Sequence, residues 1–114
     1  MQNAKAISKF VRISPRKARL AAGLIRGKQV EEALTQLEFS NLRGGRLLIK
    51  TLVSAVSNAE NLLNVQKRDL YVKEVRIDVG PTLKRAKSKA RGGRVPVMKR
   101  SSHFTVVVEP KSLI

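Results

Sequence analysis

The chain has 114 residues, with 24 Lys and Arg against 8 Asp and Glu, one His and no Cys, which gives a formal net charge of +16. This length suffices for one domain with a modest core. The lack of cysteine excludes disulfides and thiolate metal sites, and a single histidine argues against a histidine-based zinc site, so we expect no cofactor. A charge of one sign on this scale repels itself and indicates an anionic partner.

The apolar segments of the sequence are short. None approaches the ~20 residues of a membrane-spanning helix, and the segment Met1 to Lys5 lacks the apolar run of a signal peptide. We therefore expect a soluble, intracellular protein without a membrane partner.

The aromatic residues are few and scattered: Phe10, Phe39, Tyr71 and Phe104. Most of them are embedded in apolar patterns, whereas proteins that stack the bases of single-stranded RNA present a cluster of exposed aromatic rings. The sequence therefore favours recognition through backbone and shape over base stacking.

The first predicted element is a strand over residues 4–13. Its apolar and basic residues alternate loosely, with Lys5 and Lys9 interleaved. We expect its buried side to consist of Ile7, Val11 and Ile13.

A helix is predicted directly after this strand. Ser14 at the cap position and Pro15 at the first helical position are strong start signals. The helix is expected to run to about Arg26, and Gly27 ends it. Its apolar face is predicted to contain Ala18, Ala21, Ala22 and Ile25.

Two more helices are predicted before residue 64. The spacing of apolar residues places the second over residues 30–37, and Ser40 can cap a third that runs to about Leu63. Gly44 and Gly45 near its start each cost about 1 kcal/mol relative to alanine, so we expect fraying or a kink there. The predicted buried stripe of the third helix consists of Leu42, Ile49, Leu52, Val56, Ala59 and Leu63.

Antiparallel strands are predicted for the rest of the chain. A strand over residues 69–79 changes its apolar parity near Lys73 and Glu74, which indicates either a β-bulge or burial on both sides of the strand. A hairpin follows, and a last strand runs to about Glu109.

The order of these elements predicts an α+β fold, with three helices packed on a small antiparallel sheet and one long protruding β-hairpin. We assign a single domain to residues 1–114. Its globular part is expected at about 1–80 and 102–114, and the extended hairpin at about 80–102.

The hairpin register can be predicted from its turn. Gly92 and Gly93 tolerate the positive φ angles of a two-residue turn, so paired residues should have numbers that sum to 185. Val79 then faces Val106, and several cations face each other across the strands, which is destabilising without a polyanion. In this register one face carries six cations: Arg85, Lys87, Lys89, Arg91, Arg94 and Arg100.

Two segments are strongly basic and free of acids. The segment 79–108 and the first thirty residues each hold eight Lys or Arg and no Asp or Glu. The start of the first helix offers backbone donors for phosphate, and the cations there add charge-assisted bonds, so we expect contact with RNA phosphates. The candidate binding residues are Lys5, Lys9, Arg12, Arg16, Lys17, Arg19, Arg26, Lys28, Lys84, Arg85, Lys87, Lys89, Arg91, Arg94, Lys99, Arg100 and His103.

Two other classes of function fit the sequence less well. An RNA-modifying enzyme lacks a plausible acid, base, nucleophile or metal constellation, since His103 stands alone and Glu74 and Asp78 lie too far apart on a strand. A DNA-bending architectural protein would insert β-arms with an apolar wedge such as Pro96 into the minor groove, and would dimerise. The apolar stripes of the helices are needed for the monomer core, which leaves no dimer-forming helix.

Several blocks of sequence resemble the bacterial large-subunit ribosomal protein twenty-two family. They occur in the family's order and cover nearly the whole chain, so together they are far more specific than any one block. The blocks are Arg12-Ile13-Ser14-Pro15-Arg16-Lys17-Ala18-Arg19, Leu24-Ile25-Arg26-Gly27-Lys28, Ser54-Ala55 with Asn58-Ala59-Glu60-Asn61, Gly80-Pro81-Thr82-Leu83-Lys84-Arg85, and Lys99-Arg100-Ser101-Ser102-His103-Phe104-Thr105-Val106.

This resemblance implies a structural role in the large (50S) ribosomal subunit rather than catalysis. Members of the family bind 23S rRNA, contact several of its domains and assist early subunit assembly. Their globular part lies near the opening of the polypeptide exit tunnel, and the tip of their hairpin lines the tunnel wall. The implied partners are 23S rRNA, neighbouring ribosomal proteins and the passing nascent peptide, with the protein a monomer within the cytoplasmic ribosome.

Overall fold

The computed structural model describes residues 3–88 and 94–110, with the backbone alone at 85–88 and 94–97. The predicted turn at Gly92 and Gly93 lies outside the described residues. The elements in chain order are β1 (Ala4–Val11), α1 (Pro15–Ile25), α2 (Val30–Glu38), α3 (Arg43–Leu63), a 3-10 turn (Lys67–Asp69), β2 (Leu70–Val79), β3 (Leu83–Ser88), β4 (Arg94–Lys99) and β5 (Ser102–Pro110).

The predicted α+β class is confirmed, and the described strands form two separate sheets. The main sheet has the order β1-β5-β2 with both pairs antiparallel, and β3 and β4 form a two-stranded sheet of their own. The three helices pack on the main sheet and on one another, while β3 and β4 contact chiefly each other. The core lies between the helices and the central strand β5, where Phe104, Val106 and Val108 are fully buried.

Helix α1 begins as the sequence predicts. The Ser14 side chain accepts a hydrogen bond from the backbone N–H of Lys17, and Pro15 occupies the first turn. Gly27 follows the helix with a φ of 80°, a conformation that glycine adopts without the steric cost of a side chain. The predicted apolar face is confirmed, since Ala18, Ala21, Ala22 and Ile25 are all buried.

The expected fraying at the start of α3 is wrong. Gly44 and Gly45 are helical and buried. A Cβ on Gly44 would lie 3.3 Å from the backbone Cα of Ala18 in α1 and 3.3 Å from the Cδ1 of Ile13. The glycines therefore allow α3 to pack closely against its neighbours, and this packing offsets their low helix propensity.

The buried stripe of α3 is also rotated relative to the prediction. Leu52, Val56 and Ala59 are buried as expected. Leu42, Ile49 and Leu63 are only partly buried. The residues that replace them in the core are Leu48, Thr51 and Ala55.

The predicted buried side of β1 is wrong at Ile7 but holds near the end of the strand, where Val11 is partly buried and Ile13, just after it, is buried. Ala4 and Ala6 are buried, whereas Ile7 is 48% exposed. The register against β5 shifts between Ser8 and Val11, which changes the parity of the strand and brings Ile13 into the core. Small residues on the even positions fit the space beneath α3, so packing rather than hydrophobicity selects the buried side.

Strand β2 contains the predicted bulge. Its register against β5 shifts between Val72 and Glu74. After the bulge, Val75 and Ile77 are buried, but Val79 is 66% exposed, which contradicts its expected place on the apolar face. The apolar core on β2 therefore ends at the Ile77–Phe104 pair, two pairs before the end of the strand.

The predicted register of the hairpin is wrong. Val75, not Val79, pairs with Val106. In the β3–β4 ladder paired residues have numbers that sum to 182 rather than 185, and five residues separate Ser88 from Arg94 where a two-residue turn was expected. Since 182 is even, Arg94 falls in the parity set of the described ladder opposite to that of Arg85 and Lys87, which contradicts its predicted place beside them. The predicted face also includes Lys89 and Arg91, which lie outside the described residues.

The observed register avoids repulsion along the ladder. Arg85 lies opposite Val97, and Lys87 lies opposite Val95. No pair of the described ladder sets two cations against each other, whereas the predicted register would have set Arg85 against Arg100. Like charges directly opposite are destabilising, which explains why the observed register is preferred.

A compact junction connects the hairpin to the main sheet. The Ser101 hydroxyl donates to the carbonyl of Pro81 at 2.6 Å, and the buried Ser102 hydroxyl donates to the carbonyl of Ile13 at 2.7 Å. A Cβ on Gly80 would lie 2.5 Å from the Oγ of Ser101. The base of the hairpin is therefore fixed to the loop before α1, which places its cations beside the start of that helix.

Candidate nucleic-acid interface

A groove of about 810 Å³ lies where the starts of α1 and α3 meet the base of the hairpin. Its lining combines five cations with two helix N-termini, and its described lining residues include no Asp or Glu. The cations are Arg12, Lys17, Arg43, Lys99 and Arg100.

The helix starts make this groove attractive to anions. Exposed backbone N–H groups and the positive end of the helix dipole both favour a phosphate at an N-terminus. Arg16 and Lys17 in the first turn of α1 are exposed. Cations at this end oppose the dipole of the free helix, so a bound phosphate would relieve that repulsion.

The contribution of α3 was missed by the sequence analysis. Ser40 was expected to cap this helix, but its hydroxyl accepts from the N–H of Leu42, and Leu42 itself is the N-cap, without a side-chain capping bond. Arg43, the first residue of α3, therefore reaches the groove beside the α1 start. In the sequence, the available signal was a cation just after a candidate N-cap. Only the packing of α3 on α1 shows that Arg43 lies close to the start of α1.

The hairpin base closes the groove on its third side. Met98, Lys99 and Arg100 line it, and a guanidinium nitrogen of Arg100 contacts the sulfur of Met98 at 3.7 Å. Lys84 is exposed on the paired strand. The predicted cations Arg85, Lys87 and Arg94 continue along the described backbone, whereas Lys89 and Arg91 lie outside the described residues.

Arg19 and Arg26 have a structural role that the sequence did not predict. The Nη2 of Arg19 donates to the carbonyl of Ile77 at 3.0 Å, and the Nη2 of Arg26 donates to the carbonyl of Val75 at 2.7 Å. Both carbonyls belong to β2, which is an edge strand of the main sheet. These bonds protect the edge, and each occupies one of the five N–H donors of its guanidinium.

The remaining candidates of the first thirty residues lie on β1 and after α1. Lys5, Lys9 and Arg12 are exposed. Lys28 forms a long ion pair with Glu32, at 3.9 Å. Exposed pairs of this kind contribute little energy, so Lys28 can exchange its partner for a phosphate.

His103 lies beside β1. Its Nδ1 accepts a hydrogen bond from the backbone N–H of Phe10 at 3.1 Å, and the two rings meet edge to face with their centroids 5.0 Å apart. Because Nδ1 accepts, the neutral ring carries its proton on Nε2, from which it can donate.

Most of the acidic residues lie on α2 and β2. Glu31 and Glu32 lie in the first turn of α2, where their backbone N–H groups donate to the Gln29 side chain. On β2, the Arg76 side chain lies 3.8 Å from the carboxylate of Glu74 and 3.2 Å from that of Asp78. None of these acids is among the residues that line the groove.

The described residues offer no group of three or more His, Asp or Glu that could hold a metal ion. Within the same part of the chain, no helix combines the length and the apolar character that a membrane span requires.

Comparison with known proteins identifies the family. Residues 6–109 match the family described as Ribosomal protein L22p/L17e. The large ribosomal subunit protein uL22 of Protochlamydia amoebophila is 68% identical over 108 residues, which cover 95% of this chain and 97% of the relative. The uL22 proteins of Chlamydia muridarum and Chlamydia pneumoniae are 58% and 56% identical, over 91% and 94% of this chain and 94% and 96% of the relatives. The family is one of ribosomal proteins rather than enzymes, as the resemblance implied, and the chain belongs to it.

Proposed function

We propose that this protein is a structural constituent of the large ribosomal subunit in the bacterial cytoplasm and that it binds 23S rRNA. The names of the relatives support the first part, since they are proteins of that subunit. The observation that carries the second part is the acid-free groove, in which five cations and two helix N-termini converge.

Two kinds of charge act together in this groove. The cations attract the phosphate backbone over a distance, and the counterions that they release from RNA drive binding. At the start of α1, Pro15 has no N–H and the N–H of Lys17 donates to Ser14, which leaves the N–H of Arg16 to hold a phosphate oxygen. At the start of α3, the N–H of Gly45 donates to the carbonyl of Leu42, which leaves the N–H of Arg43 to hold another. The interface therefore recognises the path of the RNA backbone rather than its base sequence.

The hairpin extends this interface away from the globular part. At its base Leu83 and Met98 are exposed, and in the described ladder each cation lies opposite an uncharged residue. Such an element is stabilised when RNA phosphates surround it. We propose that the hairpin penetrates the rRNA and that its tip lines the exit tunnel beside the nascent peptide. The hairpin joins several rRNA domains early in assembly. The globular part lies near the tunnel opening, beside neighbouring ribosomal proteins.

The groove can be tested by measuring the affinity for a 23S rRNA transcript over a range of salt concentrations. Replacement of Lys17 and Arg43 by Ala should weaken binding and reduce the log–log salt slope by about 0.7–0.9 for each phosphate that the protein no longer neutralises. The matched control replaces Lys67 and Arg68, which are exposed and do not line this groove. It should leave the slope nearly unchanged.

Three results would contradict the proposal. They are an affinity that does not depend on salt, an equal reduction of the slope in both double variants, and a preference of the wild-type protein for duplex DNA over folded rRNA in direct competition. The last result, together with dimerisation, would favour a DNA-bending protein instead.

A further inference from the structure

Phe10 is an exposed aromatic residue in an unusual backbone conformation. Its side chain is 62% exposed, and its φ angle is 58°. The left-handed region is unfavourable for bulky residues, and such outliers concentrate at functional sites. The other described non-glycine residue with a positive φ is Asn64, a residue type that tolerates this region.

Tertiary contacts hold Phe10 in this conformation. The register of β1 against β5 shifts between Ser8 and Val11, which places Phe10 within the irregular part of the strand. Its N–H donates to the Nδ1 of His103 at 3.1 Å, and its ring meets the His103 ring at 90°. The edge-to-face contact and the hydrogen bond come from the same histidine, so His103 fixes both the backbone and the ring of Phe10.

The surroundings of Phe10 are cationic. Lys9 precedes it, and Arg12, two residues later, lines the basic groove. An exposed ring beside cations is the combination that binds unpaired nucleotides, because the ring stacks on a base while the cations neutralise the adjacent phosphates. Phe39 is even more exposed, at 80%, but it follows Glu38 at the end of the acid-bearing helix α2.

We propose that Phe10 is a stacking platform for one unpaired base of the bound RNA, and that His103 is a positioning residue that holds the ring. This inference rests on the proposed function and deepens it, since it adds a base contact to recognition through the backbone. The sequence favoured recognition through backbone and shape over base stacking, and this proposal adds one exception. That expectation treated Phe10 as part of an apolar pattern, whereas the irregularity of β1 turns it outward.

The test compares Phe10→Gly with Phe10→Tyr in binding to the 23S rRNA transcript. Glycine adopts a φ of 58° without steric strain, so this variant removes the ring and introduces no strain in the backbone. Loss of one stacked base should weaken binding roughly 5- to 140-fold with little change in the salt slope. Phe10→Tyr keeps an aromatic face and should bind like the wild type.

Matched controls separate stacking from other effects. Phe39→Ala removes the second exposed ring and should leave the affinity unchanged, whereas Lys9→Ala should reduce the salt slope. The inference is overturned if Phe10→Gly binds as tightly as the wild type, if Phe39→Ala loses as much affinity, or if Phe10→Gly lowers the slope as Lys9→Ala does. If the wild-type protein itself fails to bind rRNA, the proposed function fails and not the stacking alone.

The positioning role of His103 has a separate readout. An asparagine can accept the Phe10 N–H as Nδ1 does, whereas leucine cannot. His103→Asn should therefore retain most of the affinity, and His103→Leu should lose about as much as Phe10→Gly. Combining His103→Leu with Phe10→Gly should add little further loss, because both changes disrupt the same stacking platform. Independent, additive losses would overturn the positioning role.

Discussion

The two sheets of this protein are stabilised in different ways. The main sheet buries its central strand β5 under three helices, and Phe104, Val106 and Val108 have no exposed surface. The β3–β4 sheet has exposed Leu83 and Met98 at its base, and along its ladder cations lie opposite uncharged residues. The main sheet therefore has a core of its own, and under the proposed function we expect the stability of the hairpin to depend on the rRNA.

The edges of the main sheet are protected by side chains from the helices. Arg19 and Arg26 of the α1 region bind carbonyls of β2. On the other edge, the Asn58 side chain of α3 donates to the carbonyl of Lys5 in β1 at 3.0 Å. Unpaired edge carbonyls invite pairing with other chains, so these bonds protect both edges of the main sheet.

Truncating a buried side chain in the core of the main sheet should have the greatest effect on stability. Phe104→Ala is expected to lower the free energy of unfolding by about 3–5 kcal/mol, because a fully buried aromatic ring leaves a cavity. Leu83→Ala in the hairpin is the matched control and should change it by less than about 0.5 kcal/mol. Urea unfolding followed by circular dichroism measures both. Similar losses in the two variants would mean that the hairpin shares the core.

The junction between the two sheets can be tested at Gly80. Gly80→Ala is expected to cost about 1–3 kcal/mol, because the new Cβ would meet the Oγ of Ser101 and its backbone, and the bond from Ser101 to Pro81 would be disturbed. The control is Gly23→Ala in α1, where the space around the Cβ is open. That change should stabilise the protein by about 0.5–1 kcal/mol. A neutral Gly80→Ala variant in urea unfolding would show that the junction is loose.

The far end of the main sheet should respond to alkaline pH. The hydroxyl of Tyr71 donates to the carboxylate of Glu109 at 3.1 Å. This hydrogen bond, followed by desolvation and the negative charge of Glu109, raises the pKa of Tyr71 above its ordinary 10.0, and Lys73 opposes the shift. The unfolded chain therefore loses this proton first, so the stabilisation is complete below pH 10.0 and declines as the pH rises through the higher, folded pKa.

Tyr71→Phe removes the titrating group and supplies the control. The urea midpoint of the wild type should fall more steeply than that of the variant between about pH 9 and 11. Parallel pH profiles would mean that the bond to Glu109 does not differ between the folded and unfolded states.

Local sequence signals predicted helix α1 correctly, and the errors concern features that depend on contacts between distant parts of the chain. Ser14 and Pro15 start α1 through bonds to their own neighbours, which the sequence shows directly. A glycine at position 44 inside a helix is explained only by the close approach of Ala18 in α1. The hairpin register depends on which residues of β2 and β5 pair in the core, and Gly92-Gly93 carries no information about that.

The sequence also predicted only part of the candidate interface. The basic character of Lys17, Lys99 and Arg100 follows from composition, and the structure brings them to one groove. Arg43 was missed because its proximity to α1 is a product of helix packing. Arg19 acquires a bond to β2 for the same reason. Charge patterns in a sequence therefore predict the kind of partner, whereas the exact set of contacts requires the tertiary fold.

The division between a self-stabilised core and a partner-dependent hairpin is tested most directly by replacing Arg85, Lys87, Lys89 and Arg91 with Ser. Two quantities are measured on the same variant: the free energy of unfolding of the purified protein and its incorporation into large-subunit particles. We expect an unfolding free energy close to that of the wild type and clearly reduced incorporation. Loss of the circular dichroism signal, or incorporation equal to the wild type, would contradict this division.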